Sequence, residues 1–434
     1  MHKRRLNELE YLNWTLGQPY NISMSITVRG KLHEGMLRNA LDKIQQKHPL
    51  LQAQLLVDTN KHPYLIWGKV GKIPMEIIPR TGEEQYEKII ENEFITPFET
   101  GNNCSLPLIR VKILLSDAKF DLIITMQHVI ADGMSMVFLF KDIIDFMTKP
   151  EKKVKPQEVV KIIEDVLPPY YQKTIPKTPK KFNRAIWFMK RIVKIYRFKE
   201  RLKKDSPTQK SLIFEDFKNK EFKTLAWILT EDQSQALIRK CKENNVTIQS
   251  ALCTLFLSDF PIINNPVNLR KRLAYNVGQS VGCFAGGLVI KKKYNKRQDF
   301  WKNARKYRKR LTKGLRDKNL FKIFKMISRA VPLKSLQESG SIYLELVSKS
   351  QPFGVTNLGS LDKFNILLRS NKFTVEHIYG GVSSGVLNAL ILAIFTIENR
   401  IHFHFHYYKP PHTREEIEKY VSNAMKKLDK ALES

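Results

Sequence analysis

The feature that most restricts the fold lies between Phe120 and Met147. The run Phe120 to Thr125 contains Leu122, Ile123 and Ile124 and reads as a buried strand. Met134 to Met147 reads as a helix. Between them stand Gln127, His128, Asp132 and Gly133, so a core strand ends in a histidine and an Asp-Gly pair then turns the chain. A histidine at the end of a core strand is held rigidly and can project into a cleft. Its near-neutral pKa suits imidazole to taking a proton at pH 7. Taken on position alone, such a histidine is more often structural than catalytic, so the rest of the chain has to decide. Asp132 has the length and charge to fix the turn, by bonding backbone N–H groups or by pairing with an arginine. Gly133 supplies the backbone freedom a sharp strand-to-helix turn needs.

Upstream, Leu6 to Leu16 is a short amphipathic segment and Tyr20 to Val28 alternates like a strand. Leu32 to His48 shows a helical face through Met36, Leu37, Ala40, Leu41 and Ile44, and His48-Pro49 stops it. His48 reads as structural. Strands are expected at Leu50–Val57, Tyr64–Trp67, Pro74–Ile78 and Leu106–Leu115, and a helix at Glu83–Phe98.

With 434 residues, the chain is long enough for two domains of roughly 200 each. We place an N-terminal lobe at 1–150, a basic linker and helix at 151–215, and a C-terminal lobe at 216–434. No apolar run of about 18 residues occurs, so no spanning helix is expected. The basic start Met1-His2-Lys3-Arg4-Arg5 leads into Asn7, Glu8 and Glu10 rather than an apolar signal core, and a cytoplasmic protein is expected. The four cysteines are scattered, which implies neither a zinc knot nor a disulfide framework.

The net charge of +32 favours anionic partners: nucleic acid, anionic lipid, an acidic carrier protein or coenzyme A. No zinc finger, RNA-recognition signature or P-loop favours nucleic acid. Residues 180–204 hold eleven Lys or Arg against one Glu, with Phe182, Ile186, Met189, Val193 and Tyr196 at helical spacing. This basic amphipathic helix either packs on the second lobe with its charges in water, or docks on a carrier protein or the inner membrane surface.

In the second half, Thr230 with Gln233 and Thr413 with Glu416 mark helix starts. Thr247 caps another helix, and Pro266 to Tyr275 reads as extended. Residues 298–326 form a second very basic helical segment. Strands are expected at Lys223–Leu229, Phe373–Ile378, Val386–Ile397 and Arg400–Tyr408, the last two joined through Glu398-Asn399. The Gly-rich stretch 277–287 is not a dinucleotide loop; it allows close backbone approach or a crossover between lobes. His402, His404 and His406 alternate on one strand, but no Cys or carboxylate stands at ligand spacing, and no metal site is expected.

His128-x-x-x-Asp132-Gly133 resembles the His-His-x-x-x-Asp-Gly motif of the condensation-like superfamily. That superfamily includes chloramphenicol acetyltransferase, the plant acyltransferases, peptide-synthetase condensation domains and the polyketide-associated acyltransferases. The resemblance extends along the chain through His48-Pro49-Leu50-Leu51, Pro266-Val267-Asn268-Leu269-Arg270, Val281-Gly282-Cys283-Phe284 and Thr356-Asn357-Leu358-Gly359. It is closest to the polyketide-associated, phthiocerol dimycocerosyl transferase-like branch. Gln127 replaces the first motif histidine, and the Asp-Phe-Gly-Trp-Gly motif of the plant branch is missing.

The resemblance implies an α/β protein of two chloramphenicol acetyltransferase-like lobes. Each would have a mixed or antiparallel sheet with helices on one side, and a tunnel would run between them. It implies acyl transfer from acyl-CoA or a phosphopantetheinyl acyl carrier to a hydroxyl, ahead of an amine, in lipid or polyketide ester synthesis. His128 would be the general base and Arg270 would pair with Asp132. Gln127 and Asn357 would line the interface. No cofactor would be resident; the thioester is a co-substrate. The alternative is a catalytically inactive relative that binds a carrier protein or a lipid surface.

Overall fold

The structure is a computed structural model that describes residues 3–15, 17–58, 63–68, 70–101, 104–158, 191, 220–316, 320–321, 353–364, 372–385 and 389–433. Except for Arg191, the basic helix expected over 180–204 lies outside these residues.

The first half runs β1 (Lys3–Arg5), α1 (Glu8–Thr15), β2 (Asn21–Arg29), α2 (Glu34–Lys47), β3 (Ala53–Val57), β4 (Pro63–Trp67), β5 (Met75–Pro79), α3 (Gln85–Ile95), β6 (Ile109–Leu115), β7 (Lys119–Gln127) and α4 (Gly133–Thr148). The second runs β8 (Glu221–Ile228), α5 (Glu231–Glu243), α6 (Ile248–Phe256), β9 (Ile262–Asn268), β10 (Ala285–Lys291), α7 (Phe300–Gly314), β11 (Phe353–Ser360), β12 (Thr374–Val382), β13 (Leu390–Ile397), β14 (Arg400–Lys409) and α8 (Arg414–Glu433). Leu50 to Gln52 coil into a 3₁₀ turn before β3, because Pro49 starts a tight turn rather than a strand. No described helix is long and apolar enough to cross a membrane.

β7 is the middle strand of a five-stranded sheet of order β12-β2-β7-β6-β5. Ile22, Met24, Ile26 and Val28 of β2 face one core with Leu37, Leu41 and Ile44 of α2 and Val137, Phe140 and Ile144 of α4. Full burial of each such side chain is worth about 1.5–3 kcal/mol. His48, 1% exposed, ties α2 to α4: its Nε2 is 2.7 Å from Asp142 Oδ2 and its Nδ1 is 3.0 Å from Gln157 Oε1. This is the structural role expected of it.

The other face of the same sheet is polar but buried. Thr27 donates to Asp121 at 2.6 Å, Arg80 Nε donates to the same carboxylate at 2.8 Å, and Ser23 and Thr125 are 2.9 Å apart. α3 covers this face, so the expectation of helices on one side only fails for α3. Its stripe Tyr86, Ile90 and Phe94 packs with Ile123 of β7 and Phe222 of β8.

The second sheet has the order β10-β9-β11-β13-β14-β8, with β11 parallel to β9 and β13 and the other pairs antiparallel. Leu237, Phe256, Tyr307 and Leu428 from α5 to α8 cover one face with Phe353, Leu392, Phe403 and Phe405. Glu398 and Asn399, both at positive φ, make the two-residue turn of the β13–β14 hairpin. On β14 the histidines take the opposite face from Phe403, Phe405 and Tyr407, and that face is buried against the first lobe. Phe94, Phe222 and Phe395 and His377 and Tyr379 of β12 surround them. Burial pushes His402 down to about 4 and His406 to about 3, so both are neutral at pH 7. Among the described residues, no group of three or more His, Cys, Asp or Glu could hold a metal ion.

A division at residue 216 does not describe the sheets. β12, from the later half, pairs antiparallel with β2 from Thr374↔Arg29 to Val382↔Ile22. It covers the edge β2 would otherwise expose. Gly380 (φ +132°) and Gly381 let it pass: a Cβ on Gly380 would lie 2.3 Å from the Ser23 carbonyl oxygen, and one on Gly381 would lie 2.0 Å from His406 Nε2. Gly381→Ala is therefore expected to destabilise the protein by about 1–3 kcal/mol. Chemical denaturation measures it, and an unchanged midpoint would contradict this packing.

Candidate active site

Asp132 caps the N-terminus of α4, because its extended backbone aims the carboxylate back at the free N–H groups of the first turn. Ser135 N donates to Oδ1 at 2.9 Å and Phe284 N donates to Oδ2 at 2.9 Å. Arg270 grips both oxygens, Nη1 to Oδ2 at 2.6 Å and Nη2 to Oδ1 at 3.0 Å. The structure thus brings together the pair expected from sequence, across the two halves. Burial raises the Asp132 carboxyl, but Arg270 and the two backbone donors outweigh it and hold it below the usual carboxylate value.

Arg270 reaches this position because the chain does not stay extended to Tyr275. β9 ends at Asn268, and Arg270–Arg272 form a 3₁₀ turn that points the guanidinium inward. Its Cζ lies 4.6 Å from the Phe284 ring centroid. The Ser135 hydroxyl lies 2.9 Å from Asp132 Oδ1 and from the Gly282 carbonyl oxygen, and accepts from Gly282 N at 3.1 Å. A Cβ on Gly282 would run into the ring of Phe284, so the glycine makes room for that side chain rather than for a second backbone.

Gly133 has a different reason from the one expected. It is the first residue of α4 and has no positive φ. A Cβ there would meet Leu358 Cδ2 at 2.9 Å, so the glycine lets β11 of the second half close on the helix start.

His128 follows β7 and is half-buried. Its N–H donates to the Tyr20 carbonyl oxygen at 2.9 Å, and the Tyr20 ring stacks on the imidazole at 4.7 Å and 22°. Asn13 Nδ2 lies 3.0 Å from the His128 carbonyl oxygen, 3.1 Å from Cys283 Sγ and 3.3 Å from His128 Nδ1. An amide nitrogen has two hydrogens, and the two shorter contacts use both. The ring also lies within hydrogen-bonding reach of the carbonyl groups of His128 itself and Ala131. Burial pushes the imidazole pKa below its usual 6.5; the two carbonyls and the Asp132 charge oppose this without overcoming it. The ring is thus a neutral, fixed proton acceptor at pH 7.

Among the described residues no carboxylate is hydrogen-bonded to His128, since Asp132 is spent on Arg270, Ser135 and Phe284. Cys283 is buried, and burial pushes its thiol pKa up and keeps it protonated. Gln127 ends β7 opposite Asn21 and is 2% exposed, and its Oε1 has no hydrogen-bond partner among the described residues. Asn357 is partly exposed, and its Oδ1 accepts from Gly359 N at 2.8 Å and closes a local turn. Sequence reasoning missed Asn13, Tyr20 and Ser135. Only Ser135 carries a signal, its position three residues after an Asp cap.

The condensation-domain family model matches residues 12–434. Gramicidin S synthase 2 of Aneurinibacillus migulanus is 30% identical over 130 residues, which is 30% of this chain and 3% of the synthase. The chain therefore matches only a small part of that relative. Among solved structures, polyketide synthase associated protein 5 from Mycobacterium tuberculosis superposes with a TM-score of 0.66 at 14% identity, over 99% of this chain and 98% of the other. The trichothecene 15-O-acetyltransferase of Fusarium sporotrichioides gives 0.67 at 13%, over 99% and 95%. At these identities the structural likeness establishes the two-lobed fold.

Proposed function

We propose that this chain, which belongs to the condensation-domain family, moves an acyl group from a thioester to a hydroxyl acceptor with His128 as general base. Membership carries a general acyl-transfer or condensation role. The donor, the acceptor and the base are our reading. The observation that supports them best is His128 itself, a neutral imidazole at the end of β7 held by the Tyr20 stack and by Asn13; we assign its ring proton to Nδ1, which makes Nε2 the base.

In this mechanism Nε2 takes the proton of the acceptor hydroxyl as its oxygen attacks the thioester carbonyl. Hydrogen-bond donors at the lobe interface stabilise the tetrahedral oxyanion. The intermediate collapses with loss of the thiolate, which recovers the proton, and no acyl-enzyme forms. Asp132 and Arg270 hold the two halves together and point away from the chemistry. The donor is acyl-CoA or a phosphopantetheinyl carrier, bound as co-substrate with no resident cofactor. The O-acetyltransferase among the similar structures supports a hydroxyl acceptor ahead of an amine.

The pH profile tests the base. With a His128 pKa lowered below 6.5, kcat/KM is expected to be level from about pH 7 upward and to fall about tenfold per unit well below that pKa. A plateau reached only above pH 8 would contradict the assignment. The second reading, a relative that binds a carrier protein or lipid surface without chemistry, draws on Gln127, whose buried Oε1 has no partner among the described residues where the motif has a histidine. It expects no acceptor-dependent turnover at any pH.

A further inference from the structure

A strongly basic concavity of about 560 Å³ opens where β10 runs into α7, sharing no residue with the His128 site. Among the described residues, Lys292, Lys293, Lys306, Lys309, Arg310 and Lys313 line it, and no carboxylate does. Lys306, Lys309, Arg310 and Lys313 share one face of α7, while Trp301, Ala304, Tyr307 and Leu311 bury the opposite face in the core.

A row of lysines on a convex helix would be an ordinary solvated face. Here the helix face closes over Lys292, which is only 7% exposed and donates to Asn303 Oδ1 at 3.2 Å and the Lys293 carbonyl oxygen at 2.9 Å. Lys306 donates to Gln298 Oε1 at 2.9 Å, and Arg310 donates to the Lys291 carbonyl oxygen. Neither these three nor Lys293 and Lys309 form an ion pair among the described residues. Burial and the charges of Arg310 and Lys306 push the Lys292 pKa down, as expected for repelling cations. A multivalent anion would relieve that repulsion.

The volume falls in the range of about 300–1,000 Å³ that small ligands occupy. A folded protein partner would instead cover a flat patch of about 800 Å². The concavity is also tied to the Asp132 site. At the end of α7, Arg272 Nη1 donates to the Leu315 carbonyl oxygen at 3.0 Å, and Arg272 belongs to the same 3₁₀ turn as Arg270.

We propose that this corner binds a small ligand bearing two or more phosphate groups, of the kind carried by the adenosine end of coenzyme A. The site stands on shape and charge; identifying its ligand with the thioester donor rests on the acyl-transfer reading.

Calorimetric titration of the full chain tests it, with adenosine 3′,5′-bisphosphate, coenzyme A and pantetheine as probes. The first two are expected to bind and to weaken as salt rises, and pantetheine is expected to bind far less. The triple variant Lys306→Gln, Lys309→Gln, Arg310→Gln changes exposed side chains only. It should weaken both phosphorylated probes by at least about tenfold. His128→Gln should bind them as the wild type does. Equal binding by the triple variant overturns the site, as does binding of an acidic acyl carrier protein with no binding of either phosphorylated probe. Probe binding through these residues with no transfer from any thioester keeps the site and removes the acyl-transfer reading. Transfer from acyl-CoA with an unchanged KM in the triple variant does the reverse.

Discussion

His128→Gln is expected to lower acyl transfer by about 10²–10⁴-fold, the span a positioned general base contributes. The loss should fall on kcat, because the substitution removes a proton acceptor rather than a binding contact. Stability should change little. The ring is half-buried, and glutamine can keep a polar contact to Asn13 and the nearby carbonyls, so the main contact forfeited is the Tyr20 stack, a pair worth about 0.5–1.5 kcal/mol. Steady-state rates beside a denaturation curve separate the two effects. Activity within threefold of wild type would mean that another group takes the proton.

Asp132→Ala is expected to damage the fold more than any other single change at the site. It leaves Arg270, 8% exposed, without its carboxylate and strips the acceptor from Ser135 N and Phe284 N. Breaking one side of a buried ion pair costs about 3–5 kcal/mol. Activity should fall with it, because the pair joins α4 of the first half to the 3₁₀ turn of the second. Adding Arg270→Met should recover part of the stability, since the stranded charge is then gone. A fully stable but inactive Asp132→Ala protein would overturn the architectural role of Asp132.

The sequence made the strand, turn and helix from Phe120 to Met147 legible because each announces itself locally. β7 is an apolar run, α4 has a helical stripe, and Asp132 is a strong cap. The β13–β14 hairpin and the capping box at Thr230 were legible for the same reason. The Asp132–Arg270 pair came from the family resemblance, since nothing local links residues 138 positions apart. What stayed hidden depends on packing between distant segments. β12 alternates like any half-buried strand, and nothing in it says that its partner is β2. Asn13 sits on a short helix with no motif, yet the fold carries it to His128 and Cys283. Gly133 looked like a turn residue, and its real constraint, Leu358, is supplied from more than two hundred residues away. The turn that the Asn357 side chain closes with Gly359 N was likewise not read from the sequence.

The central claim is that the chain transfers an acyl group from a thioester to an acceptor through His128. Thiol release tests it most directly, with acyl-CoA and acyl carrier protein as donors and alcohols and amines as acceptors. The expected result is release that rises with an alcohol acceptor and is lost in His128→Gln. Release from no donor, or release that His128→Gln leaves unchanged, would contradict it.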